Sequence, residues 1–84
     1  MKYKIEQDKA IILISENPEC YTNPLTFLDN IIKIDVKEVV LDLGYEEETN
    51  LAIVLFIKFA EKIFKEKDKK LKIINIPEHI QKRI

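Results

Sequence analysis

Few side chains in this chain could do chemistry, and their scarcity decides more than their spacing. There is one histidine, His79, and one cysteine, Cys20, in 84 residues. A single His and a single Cys cannot complete a zinc site without a second chain, and no metal or other cofactor is expected. They also offer no Cys/His or Ser/His/Asp set for nucleophilic catalysis. Gly44 is the only glycine, which excludes a Gly-rich phosphate loop. Asp42 near a strand end suits a loop-fixing role better than a metal-ligand role. No carboxylates converge for acid/base work, so no catalytic residue is assigned and no enzymatic activity is expected. Lone Cys20 can form no internal disulfide, which fits a reducing, cytoplasmic setting. Cys20 itself is expected to be a small loop or edge residue, and His79 a surface residue of the last helix.

The balance of charge narrows the partners. Lys and Arg number 14 against 15 Asp and Glu, a net charge of −1. Nothing global attracts nucleic acid or anionic lipid. Tyr3, Tyr21 and Tyr45 form no base-stacking stripe with the lysines. The start, Met1-Lys2-Tyr3-Lys4, leads into Glu6 and Asp8 and reads as no signal peptide. The apolar run Leu51–Ile57 is far shorter than a membrane span needs. With 46% hydrophobic and 35% charged residues, the chain reads as one small folded domain, residues 1–84. At this size the core is thin, and a partner could finish part of the apolar surface.

The elements that must position these residues follow from periodicity. Lys2–Gln7 alternates Tyr3 and Ile5 with Lys4 and Glu6, a half-exposed strand. Asp8-Lys9 is expected to turn the chain into Ala10–Ile14, an apolar strand expected to be buried on both faces. Glu16–Thr22 is polar, contains Pro18 and reads as a loop. Asn23-Pro24 starts a helix as N-cap and first residue, and Leu25, Phe27, Leu28, Ile31, Ile32 and Ile34 form its apolar face to about Asp35. Val36–Leu43 is a central strand, ended by Gly44, which is free to take a positive φ. Asn50–Lys67 is the longest helix, closed by Asp68-Lys69-Lys70. Leu71–Ile76 is the fourth strand, and Pro77–Ile84 a short last helix. The order β-β-α-β-α-β-α predicts an α/β domain with a mixed four-stranded sheet and covering helices.

The segment KEVVLDLGYEEETNLAIVLFIKFAEKIFKEKDKKLKIINIP, in this order of elements, resembles the STAS family, the domain of anti-sigma-factor antagonists and of sulfate-transporter tails. Val39-Val40-Leu41-Asp42-Leu43 matches that family's strand, Leu51–Phe64 its long helix, and Leu71–Pro77 its last strand and stop. The family's Asp-Ser-Ser-Gly falls on Glu47-Glu48-Thr49-Asn50, a degenerate version that keeps one hydroxyl, on Thr49. The loop after Leu43 is two or three residues short, and Ser15-Glu16-Asn17-Pro18 replaces the family's Gly-rich start of an earlier loop. The resemblance implies a non-enzymatic regulator in partner switching, with Thr49 as phospho-acceptor. It also implies a protein partner, either an anti-sigma-type serine kinase or another STAS domain. The other class of function is a self-associating structural or scaffold subunit, such as a lipid-transport accessory or a homodimer, with no phosphoswitch.

Two physical readings stand beside the resemblance. Thr49 or Asn50 can simply cap the long helix, and the acids Glu46–Glu48 stabilise its N-terminus. A phosphate on Thr49 would gain roughly 0.3–1 kcal/mol from the helix dipole. It would lose about 1 kcal/mol to each glutamate near 4 Å, so the site is not built to welcome it. The second half of the helix is amphipathic, Phe59, Ala60, Ile63 and Phe64 against Lys58, Glu61, Lys62 and Lys65, and on a helical wheel Ile53, Phe56, Ile57, Ala60, Ile63 and Phe64 define the core side. Leu51, Val54 and Leu55 then project to solvent with Lys58 and Lys62. Burying each would stabilise by roughly 1.5–3 kcal/mol, so their exposure suggests a docking surface. The expected partner-binding residues are Glu47, Glu48, Thr49, Asn50, Leu51, Val54, Leu55 and Lys58. The plainer reading is that these first turns are buried under the loop, or that LAIVLFI begins as a strand.

Overall fold

The computed structural model describes residues 1–44 and 51–82. Two short strands, β1 (Lys4–Glu6) and β2 (Lys9–Leu13), form the expected hairpin. Its turn lies one residue earlier than expected, at Gln7 and Asp8, both with positive φ (50° and 64°). That pair of left-handed residues matches the right-handed twist of the flanking strands, which is why the register closes as Glu6 opposite Lys9.

After β2 the chain makes a single 3-10 turn, Ile14–Glu16, and then the short helix α1 (Glu19–Thr22). The polar stretch read as a loop is therefore partly helical. Pro18 supplies a fixed φ of −62° at the start of α1, so here it opens a helix instead of excluding one. Helix α2 (Pro24–Ile32) begins at Pro24 as expected, but the Asn23 side chain makes no capping bond. It stops short of Asp35. The Lys69 ammonium donates to the carbonyls of Ile32 and Ile34, placing a cation at the negative end of α2. Leu25, counted on the apolar face, is 58% exposed.

Strand β3 (Glu38–Asp42) leads toward helix α3 (Leu51–Glu66), which is followed by β4 (Lys70–Ile74) and the short α4 (Glu78–Gln81). Helix α3 ends in a Schellman motif: Asp68 takes φ 53°, Lys69 N–H donates to the Phe64 carbonyl, and Asp68 N–H to Lys65.

The sheet order is β1-β2-β3-β4, antiparallel between β1 and β2 and parallel thereafter. This is the small α/β architecture with a mixed four-stranded sheet that the element order predicts. Each crossover advances the sheet in one direction, and right-handed crossovers of that kind place their helices on one face. The burial pattern agrees. Ala10, Ile12, Val39 and Leu41 are fully buried, and Leu71 and Ile73 pack against them. From the helix side come Phe27, Leu28, Ile31, Ile53, Phe56, Ile57, Ala60 and Phe64. The Phe27 and Phe56 rings meet at 5.7 Å, tilted by 46°, where α2 and α3 touch.

Among the described residues no helix covers the opposite face, which corrects the expectation of a strand buried on both sides: Ile11 and Leu13 are only half-buried. The apolar run of β2 reflects a central position in the sheet, where neighbouring strands supply part of the cover. Among the described residues, no helix is long and apolar enough to cross a membrane.

Candidate functional site

The carboxyl ends of β2, β3 and β4 lie together, because the three strands run parallel. Asp42 closes β3 there. Its Oδ1 accepts from Gly44 N–H at 2.8 Å and from the Asn75 side-chain amide at 3.0 Å. Asp42 therefore fixes the loop after β3 to the end of β4, as a strand-end carboxylate is expected to do. Asn75 takes a positive φ of 54°, which an Asn tolerates better than most residues. Gly44 does not have the positive φ expected of it. A Cβ on Gly44 would lie 3.0 Å from Asp42 Oδ1, so the glycine serves the close approach of backbone and carboxylate.

Of the residues expected to bind a partner, Glu47, Glu48, Thr49 and Asn50 lie outside the described residues. The backbone of Leu51 is in α3, so the LAIVLFI run is helical and not a strand. Lys58 is exposed. Leu55 is 55% exposed, as expected. Val54 is not: only 6% of it is exposed, and it belongs to the core cluster. At about 100° per residue Val54 falls at the border of the buried arc, beside Ile57, while Leu55 points away from its centre.

The amphipathic pattern of the helix's second half also misplaces Phe59, which is 41% exposed. Phe59 is one turn beyond Leu55, about 40° away on the wheel, and Lys58 and Lys62 flank the pair. The apolar surface that α3 exposes is thus Leu55 with Phe59, beside Lys58 and Lys62, and Val54 is not part of it. Phe59 was legible from its i,i+4 relation to Leu55. Its aromatic character drew it into the core set instead.

Two larger grooves lie elsewhere on the molecule, one on each side of the sheet. One of about 450 Å³ runs over the helix-free face of the sheet, lined by Lys4, Ile11, Leu13, Glu16 and Asp42 among others. The second, about 470 Å³, lies between α3 and β4 and includes Phe64, Leu71, Ile73, Lys65 and Lys69. Both are open, and neither gathers a nucleophile and a base. Among the described residues, no group of three or more His, Cys, Asp or Glu could hold a metal ion. Cys20 is fully buried in the core from α1, not at a loop or edge. His79 is half-buried on α4, with its Nε2 atom buried.

One buried polar side chain organises the hairpin end and was passed over as a loop residue. Asn17 is fully buried. It accepts from Lys2 N–H at 2.7 Å and donates to the carbonyls of Lys2, at 2.9 Å, and Leu13, at 2.8 Å. It thus extends the β1–β2 connection beyond its three-residue ladder. The Asn-Pro dipeptide at 17–18 signals a turn but not this long-range tie.

No family model matches this chain, and no curated protein and no solved structure matches it.

Proposed function

We propose that this chain is a small regulatory protein-binding domain of the STAS type, without catalytic activity of its own. It docks a protein partner through the exposed stripe of α3 and the loop 44–50 that precedes it. The observation that carries the reading is the pair Leu55 and Phe59, exposed one turn apart on a helix whose other side is the core. With about half of each side chain still in water, a partner that covered them would add roughly half of the 1.5–3 kcal/mol that full burial of such a residue brings.

The flanking Lys58 and Lys62 define the partner's chemistry: an apolar pocket with an acidic rim. An antiparallel strand pair followed by parallel strands with intervening helices supports the STAS type, and an anti-sigma-type serine kinase or a second STAS domain is the partner class. Thr49 is the phospho-acceptor in this reading. Phosphorylation there adds about −1.5 to −2 charges beside the stripe. It would set that charge against the acidic rim of the partner and weaken docking.

Titration calorimetry against an anti-sigma-type serine kinase from the same genome tests this. Leu55→Asp is expected to lower affinity at least tenfold while circular dichroism stays unchanged, and Thr49→Glu to weaken binding where Thr49→Ala does not. Wild-type affinity in Leu55→Asp would remove α3 from the interface.

A further inference from the structure

The helix-free face of the sheet has an ordered charge pattern that the docking stripe on α3 does not use. Strand register sets it out in rows. The first row reads Glu6, Lys9, Glu38, Lys70 across β1 to β4. The second reads Lys4, Ile11, Val40, Lys72. In the third, Leu13, Asp42 and Ile74 are partners. Signs alternate along the whole first row, and among the described residues none of its four members is held in an ion pair. The centre of the second row is apolar.

We infer that this face binds a second copy of the same chain, sheet against sheet, about a two-fold axis parallel to the strands. That axis sets β1 opposite the partner's β4, and β2 opposite the partner's β3. Glu6 then meets the partner's Lys70, and Lys9 meets the partner's Glu38. By symmetry this gives four opposite-charge meetings in the first row. Ile11 meets the partner's Val40 twice at the centre, so apolar contacts apolar. The like-charged meeting, Lys4 with the partner's Lys72, occurs twice. It falls on the outer strands, where long side chains reach water and the cost is small.

The pattern is specific to this arrangement. A shift by one strand puts Glu6 against the partner's Glu38 and Lys9 against its own copy. A two-fold axis running across the strands puts Glu38 against the partner's Asp42. Both alternatives set like charges together, a form of discrimination that charge patterns provide. Four strands about 4.8 Å apart make a face only about 19 Å wide. With strands of at most five residues, about 17 Å long, the face is well below the roughly 800 Å² per partner of a standard interface, so the dimer dissociates on dilution and weakens with added salt.

Sedimentation of the full chain over a series of concentrations up to the millimolar range tests the inference. Wild type is expected to dimerise. Lys9→Glu and Glu38→Lys are each expected to weaken self-association at least tenfold while keeping the wild-type circular dichroism spectrum. Mixed in equal amounts, the two variants are expected to recover association to within a few-fold of wild type, because each supplies the charge the other lacks. Glu6→Lys and Lys70→Glu, on the edge strands, give an independent second pair with the same expected complementation. Leu55→Asp is expected to leave the dimer unchanged, which separates this face from the α3 docking surface. A wild type that stays monomeric, single reversals without effect, mixtures that recover nothing in either pair, or loss of the dimer in Leu55→Asp would each overturn the inference.

Discussion

At the scale of single residues, two polar side chains hold the fold where strands alone would not. Asn17 joins Lys2, two residues before β1, to the end of β2 with three hydrogen bonds. Each is worth roughly 0.5–1.5 kcal/mol, and the exposed Lys2 groups would rehydrate on its loss. Asn17→Ala is therefore expected to cost about 2 kcal/mol, which at this chain length lowers Tm by roughly 10 °C in a thermal melt. Asp42 is held by the Gly44 amide and Asn75, so it cannot easily yield to a methyl group 3.0 Å away. Gly44→Ala is expected to destabilise by about 1 kcal/mol by denaturant titration, through this contact and not through backbone strain. The strand-end role of Asp42 was readable from its position after an apolar run. The role of Asn17 was not, because Lys2, its partner in two of the three bonds, lies fifteen residues away and is brought near only by the hairpin.

At the scale of elements, α3 shows how far amphipathic periodicity reaches. It identified Ile53, Phe56, Ile57, Ala60, Ile63 and Phe64 as the buried face; all are buried except Ile63, which is partly buried against the core. It failed at the edges of that face, at Val54 and Phe59, where the neighbouring elements decide burial. The contrast between adjacent residues gives a direct measurement. Val54→Asp buries a charge in the core and is expected to prevent folding, whereas Leu55→Asp is expected to shift the urea midpoint by no more than a few tenths of a kcal/mol in stability. At the other end of the helix, Asp68 adopts a left-handed conformation that glycine adopts at no steric cost. Asp68→Gly is expected to stabilise by about 0.5–1 kcal/mol, read as a higher melting temperature.

At the scale of the whole molecule, the order of the four strands and of α2, α3 and α4 was legible from turn signals and changes of period, whereas α1 was hidden in a polar, Pro-containing stretch. What the sequence did not disclose was the one-sided cover of the sheet. An apolar β-branched run reads the same whether a helix or only neighbouring strands shield its second face. The fold therefore has one core layer, between the sheet and α1–α3, and its protection against hydrogen exchange should follow that layer. The slowest amides are expected in Ala10–Leu13 and Val39–Leu41, and the fastest strand amides in Lys4–Glu6, an edge strand with every side chain exposed. Comparable rates in β1 and β3 would contradict this ranking.

Among the described residues, the left-handed positions, Gln7, Asp8, Asp68 and Asn75, are all occupied by residues other than glycine. The single glycine of the chain sits elsewhere, so the denatured polymer has very few loose joints. Fewer conformations are available to be surrendered on folding, and a protein with so thin an interior gains stability from the stiffness of its disordered state.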